Sequence, residues 1–243
     1  MIMTLLRLIA GAALFAIACG TARAGDTATV EILGFSADGG IFAFEEYGMQ
    51  DGSGFPYANR YYINTASDSF LPGTPVRVRI DQDGAAIVDA RSQARAQAQS
   101  VIGDAVLAEN RGFTAGWNSV TERSSDPFRI EVNPRPVFPP IDEPLEFRLT
   151  ELPMPDAAQC HGLGEAAGFR LMRVGTAPGT QTDIVHEDTT IPTSRGCPLG
   201  YGLAGVQTFH PAGGAPVFAV IIAIRALGFE GPDHRFIAVT GAL

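Results

Sequence analysis

Three short stretches of this chain alternate apolar and charged residues with a strict period of two, and that alternation limits the fold more than any other feature. Val76, Val78 and Ile80 are interleaved with Arg77 and Arg79; Phe128, Ile130 and Val132 with Arg129 and Glu131; Leu145, Phe147 and Leu149 with Glu146 and Arg148. Successive side chains of a strand point to opposite faces, so each stretch is a strand with one dry face and one wet face. Seven more strands are expected at 30–35, 41–46, 60–64, 169–174, 206–209, 216–224 and 235–240, each bounded by Gly, Pro or Asp. The run VFAVIIAI at 217–224 has no polar face and reads as a buried strand. Arg225 stops it far short of the roughly 20 apolar residues of a membrane helix.

One segment, 85–110, follows a different period. Ile87, Ala90, Ala94, Ala98, Val101 and Ala105 recur at three-or-four spacing, while Arg91, Arg95 and Gln99 form a polar row. This predicts one long amphipathic helix, kinked or split near Gly103 and stopped by Gly112, with the arginine row as an ordinary solvated face. The proline-rich 133–144, NPRPVFPPIDEP, cannot sit in a central strand and reads as a stiff connector, a sub-boundary within the chain. The expected fold is a β-rich α+β domain: about ten short, mainly antiparallel strands with blade-like hairpins, and one long helix after the first hairpin.

The N-terminal MIMTLLRLIAGAALFAIACGTARA sets Arg7 before an apolar run and closes on Ala22-Arg23-Ala24, a small-x-small cleavage pattern. Residues 1–24 therefore read as a signal peptide and 25–243 as a single exported domain, periplasmic or secreted. Acylation at Cys19 is the weaker reading, because Ala16 stands where a leucine is usual. After export two cysteines remain, Cys160 and Cys197, and an even pair in an oxidising compartment reads as a structural disulfide. The competing reading makes Cys160 a free nucleophile beside His161; adjacent residues seldom point at each other usefully.

All 17 basic residues are arginine, and without Arg7 and Arg23 the remaining 15 face 26 acids, a formal charge near −11. That balance disfavours nucleic acid and anionic membrane surfaces as partners. The absence of lysine excludes a phosphate-loop lysine, Schiff-base chemistry and the Ser-x-x-Lys pairing. His161, His186, His210 and His234 are scattered, and Asp81-x-Asp83-Gly84 lacks the later residues of a calcium loop. No metal or cofactor is expected.

The runs GFSADGGIFAFEEYGMQDGSGFPYANRYYIN, FLPGTPVRV, SRGCPLGYG and ALGFEGPDHRFIAVTG resemble those of an uncharacterised bacterial family of predicted secreted proteins, domain of unknown function 2259. The likeness spans nearly the whole exported part and implies export and a single unit; it implies no activity, ligand or catalytic residue. FSADGGIFAF is also similar to the FSPDG-type strand turn of six-bladed propeller proteins, with Ala37 in place of the proline. The chain lacks the repeats of a full propeller, so a blade-like hairpin is all this implies. A faint internal repeat links 42–60 with 218–235, two copies of one hairpin type.

The adjacent Glu45 and Glu46 look like a catalytic pair, but in a strand they point to opposite faces and cannot flank one bond. Glu46 shares a face with Phe42 and Phe44 and is expected at the rim of the core, paired with Arg60 across the hairpin. The loop GMQDGSGFPYAN displays Asp51, Phe55 and Tyr57, an acid with aromatic faces that suits sugars or peptides. Ser36 is one residue short of a nucleophile elbow, and Asp38-Gly39 reads as the turn itself. Two function classes remain. One is a non-enzymatic binding module using loops 48–59 and 227–234 to contact an envelope protein, peptide or glycan. The other is a carboxylate-type hydrolase with Glu46 as acid and Asp51 or Asp233 as partner.

Overall fold

The computed structural model describes residues 25–243; the expected signal peptide, 1–24, lies outside the described residues. Strand β12 (Val217–Leu227) explains the architecture, because Val217 to Ile224 are all buried on both of its faces. A strand apolar on both sides needs a layer above and a layer below. Phe218, Val220, Ile222 and Ile224 pack in one core with Phe147, Leu149, Phe169 and Leu171, while Ala219 and Ile221 pack in another with Phe35, Phe42, Phe44 and Tyr61. Each fully buried large side chain contributes about 1.5–3 kcal/mol.

Three antiparallel sheets supply those layers. The first joins β1 (Thr29–Phe35), β2 (Ile41–Met49), β3 (Pro56–Asn64) and β4 (Ser69–Phe70) in that order, with β5 (Val76–Arg79) also paired to β3. The second, central sheet runs β13 (Pro232–Ala242), β12, β11 (Pro198–Phe209), β6 (Phe113–Trp117). The third runs β10 (Asp183–Glu187), β9 (Ala167–Val174), β8 (Leu145–Pro153), β7 (Arg129–Val132). All ten expected strands are present; β4, β6 and β10 bring the number to thirteen among the described residues. The β2–β3 and β12–β13 pairs are both antiparallel hairpins. The proline-rich 133–144 joins β7 to β8, which pair with each other, so it closes a hairpin within the third sheet.

The helical layer covers the outer face of the first sheet. Where one long helix is expected there are two, α1 (Ile87–Ala98) and α2 (Asp104–Glu109). The break falls at Gly103, whose extended backbone (φ −67°, ψ 137°) starts α2 and cannot continue α1. Ala90, Ala94 and Ala98, one turn apart, are fully buried, and their small side chains let α1 lie close to Ala58, Val78 and Tyr62. The Cys160–Cys197 disulfide is formed across a separation of 37 residues. It ties the turn 158–160 to the start of β11 and stabilises by about 3–4 kcal/mol on the loop-entropy account.

Candidate functional site

The β2–β3 register sets Glu45 opposite Arg60 and Glu46 opposite Asn59. The expected Glu46–Arg60 pair is therefore not formed: the two lie on opposite faces of the sheet. Arg60, 1% exposed, points to the helices and donates from Nη2 to Asp104 Oδ1 at 2.8 Å. Glu45 faces the same way and accepts from Arg91 Nε (3.2 Å) and Nη2 (2.9 Å). Arg91 also bonds Glu31 and lies 3.9 Å from the Tyr47 ring centroid. The arginine row of α1 is thus not a merely solvated face: Arg91 braces the helix to the sheet, and Arg95 pairs with Asp104 at 3.1 Å.

Glu46 faces the central sheet with Phe42 and Phe44, as the alternation requires. It is 2% exposed, inside the core rather than at its rim. Among the described residues it forms no ion pair there. Oε1 accepts from Asn59 Nδ2 at 3.0 Å and from the Tyr61 hydroxyl at 2.7 Å, and Oε2 accepts from the backbone N–H of Phe236 at 2.8 Å. The Tyr61 ring stacks on Phe44 at 4.5 Å, and burial, reinforced by Glu46, pushes its hydroxyl well above the ordinary phenol range.

The two loops expected to form a contact surface dock on each other. Asp51 Oδ2 accepts from Glu230 N–H at 2.7 Å, and Phe229, 80% exposed, packs over Gly52, whose left-handed backbone (φ +81°) favours glycine and where an added Cβ would lie 3.0 Å from the Phe229 ring. Phe55 is half-buried. Tyr57 does not belong to the loop: it lies on β3, 6% exposed, with its hydroxyl donating to Asp26 Oδ1 at 3.2 Å. Asp233 Oδ1 accepts from Asp26 N–H at 2.9 Å, and Arg235 joins this group, 2.6 Å from Asp26 Oδ2 and over the Tyr57 ring at 4.7 Å. Tyr57 and Asp233 thus meet around Asp26 and Arg235, while Asp51 and Phe55 stay with the loop.

Of the five expected site residues, only Glu46 lines a cleft of about 600 Å³ between the first sheet and β13. The cleft follows the edge of β13 over residues 235–239, beyond the bridge that joins His234 to Thr27, with β3, β4 and β5 of the first sheet on one side and His186, Pro192, Ser194 and Arg195 on the other. Asp68 reaches into it from a left-handed turn (φ 48°), accepting from the N–H (2.8 Å) and hydroxyl (3.0 Å) of Thr240. Burial raises the Asp68 carboxyl above its ordinary value. His186 stands between Asp68 (3.9 Å) and Asp188 (3.0 Å) and stacks on Phe169 at 4.7 Å; Arg195 bonds Asp188 at 2.6 Å. Burial pushes Asp188 upward, but its hydrogen bonds from His186, Arg195 and the Phe169 N–H together bring it below the ordinary value. Asp68, Arg77, His186, Asp188 and Arg195 carry no motif or spacing in the sequence that marks them as neighbours.

A family model described as a predicted secreted protein (DUF2259) matches residues 43–242. The chain belongs to this family. The match runs from the third residue of β2 to the end of β13 and so includes strands of all three sheets, both loops and the cleft. No curated protein and no solved structure matches the chain. Among the described residues no helix is long and apolar enough to cross a membrane, and no cluster of three His, Cys, Asp or Glu side chains is arranged to hold a metal ion.

Proposed function

We propose that this member of the predicted secreted family is a non-enzymatic binding module, working in the periplasm or outside the cell, which holds its ligand in the cleft along β13. The observation that carries this reading is the composition of the cleft. Apolar walls from Ile63, Phe70 and Val239 surround a few converging polar groups, among them Arg77, His186 and Ser194, in a volume typical of ligand sites. The cleft replaces the loops as the favoured contact surface, because Asp51 is held by the facing loop and Tyr57 and Asp233 are held around Asp26.

The carboxylate-hydrolase reading has less support. Each of the hydrogen bonds to Glu46 is donated by a fixed partner, and a general acid must instead turn a proton toward substrate. Its expected partners are committed too, Asp51 to the Glu230 N–H and Asp233 to the Asp26 N–H.

Saturation-transfer NMR against tripeptides, chito- and cello-oligosaccharides and phosphate esters tests the reading. Ser194→Trp, an exposed position on the cleft wall, is expected to abolish whatever binding the wild type gives. The double variant Asp51→Ala/Phe229→Ala is expected to leave it intact. Ligands indifferent to Ser194→Trp, or consumed during the experiment, would overturn the proposal.

A further inference from the structure

The following rests on the cleft as the binding site and concerns what it takes. We infer that the ligand is a short peptide that pairs with the edge of β13 at Ala238 alone, with a free carboxylate reaching Arg77.

The β12–β13 register pairs Ala223 with Phe236, Ile221 with Ala238 and Ala219 with Thr240. In an antiparallel pair the backbone groups of alternate residues turn toward and away from the neighbouring strand. The Phe236 N–H turns away from β12 to Glu46, and the Thr240 N–H turns away to Asp68. Ala238 lies midway between them, so its N–H and C=O also face outward, into the cleft it lines. Among the described residues neither group finds a partner beyond the sheet.

That pattern selects a ligand. A residue in extended conformation directs its own N–H and C=O to the same side, so one peptide residue exchanges both bonds with Ala238. A lone secondary amide, such as the acetamido group of a sugar, cannot, because the N–H and C=O of a trans amide point in opposite directions. A long strand does not fit either. Its next pairing positions fall at Phe236 and Thr240, two residues to each side, where Glu46 and Asp68 already hold the N–H groups. Inward-pointing acids of this kind are a usual guard on a sheet edge. Here they leave one gap in the guard, and the roughly 13 Å of strand between the two guarded positions suits three or four extended residues.

Charge supplies the second half of the inference. Of the three arginines lining the cleft, Arg195 is paired with Asp188 and Arg235 with Asp26. Arg77 is exposed, lies with its Cζ 6.0 Å from the Tyr61 ring centroid, and forms no ion pair among the described residues. A planar guanidinium at the mouth of the cleft matches a carboxylate with two parallel hydrogen bonds. In a chain with 26 acids and 17 bases, an arginine without an ion pair, lining the same cleft as the Ala238 edge, fits the carboxyl end of a peptide.

The test uses ¹⁵N-labelled protein purified after export. The probes are a mixture of acetylated tripeptides with free carboxylates, the same mixture as amides, and chitobiose. The acid peptides are expected to move the Ala238 amide resonance downfield and to slow its exchange with solvent. The amidated peptides should bind about tenfold more weakly, the loss of one charge-assisted contact. Arg77→Gln should remove that difference. Ala238→Pro deletes the outward N–H at an edge position where proline is tolerated, and should abolish binding of both mixtures; should this variant misfold, the Ala238 resonance and Arg77→Gln still decide. If chitobiose binds among the cleft resonances and the peptides leave Ala238 unmoved, the peptide inference falls and the binding cleft stands. If no probe moves a cleft resonance, both fall.

Discussion

Glu45 and Glu46 are adjacent in sequence and almost equally buried, yet the two faces of the first sheet treat them differently. On the helix side Glu45 meets a cation, Arg91, which a long flexible side chain on α1 delivers. On the core side Glu46 meets only neutral donors, one of them the backbone of an edge strand 190 residues away. Helices present long polar side chains to a sheet, whereas a second sheet presents mostly apolar side chains and, at its edge, backbone N–H groups. The helix-side carboxylate therefore acts as a brace, and the core-side one becomes part of the cleft.

The comparison can be broken first through the core. Phe44, fully buried and stacked on Tyr61, shares a face with Glu46, and Phe44→Ala is expected to cost about 3–5 kcal/mol in urea unfolding. A loss below about 1 kcal/mol would mean that the first and second sheets are not tightly packed there.

The two glutamates themselves give the next largest effects. Arg91→Ala strands Glu45 beneath the helix and is expected to cost about 2–3 kcal/mol, below a fully buried pair because Arg91 is partly exposed. Adding Glu45→Gln should recover much of that loss. Glu46→Gln puts an NH₂ in place of one accepting oxygen, facing either the Phe236 N–H or the Asn59 and Tyr61 donors, and is expected to cost about 2 kcal/mol, which Arg91→Ala should neither deepen nor relieve. A double-mutant cycle that couples Glu46 to Arg91 as strongly as Glu45 would erase the distinction between the faces.

The smallest effects, under about 1 kcal/mol, concern pH and the two aspartates beside His186. Asp188 titrates below its ordinary 3.8 in the folded protein. The stability it contributes is therefore present above pH 3.8 and is lost as pH falls through its folded value. Asp68 titrates above 3.8, so its contribution is complete below 3.8 and is lost as pH rises through its folded value. Urea midpoints measured across this range should show Asp188→Asn flattening the acid limb and Asp68→Asn flattening the decline above it. Equal slopes in both variants would contradict the opposite environments.

Much of the sheet framework was legible in the residues. Alternation located ten strands, and VFAVIIAI announced a strand buried on both faces. β10 escaped because DIVHE has no regular alternation, and β6 because its alternation is only five residues long and contains Gly116, a residue that weakens a strand signal. The expected Glu46–Arg60 pair failed by a single step of register. Asn59, not Arg60, lies opposite Glu46, and one step in a strand exchanges the faces. The loop residues Asp51, Phe55 and Tyr57 have the chemistry of a contact surface, but their surroundings depend on where the β12–β13 hairpin ends.

By itself the sequence determined the alternation, the break at Gly103, the excess of acid and the faces of the two glutamates, because these depend on residues a few positions apart. The tertiary structure alone decided that Glu46 and Asp68 guard β13, since those contacts join residues 190 and 172 positions apart. It also decided that Arg195 and Arg235 form ion pairs while Arg77 forms none among the described residues. Local periodicity says which way a side chain points. What it meets is set by the layer that packs against it, and here that layer comes from the other end of the chain.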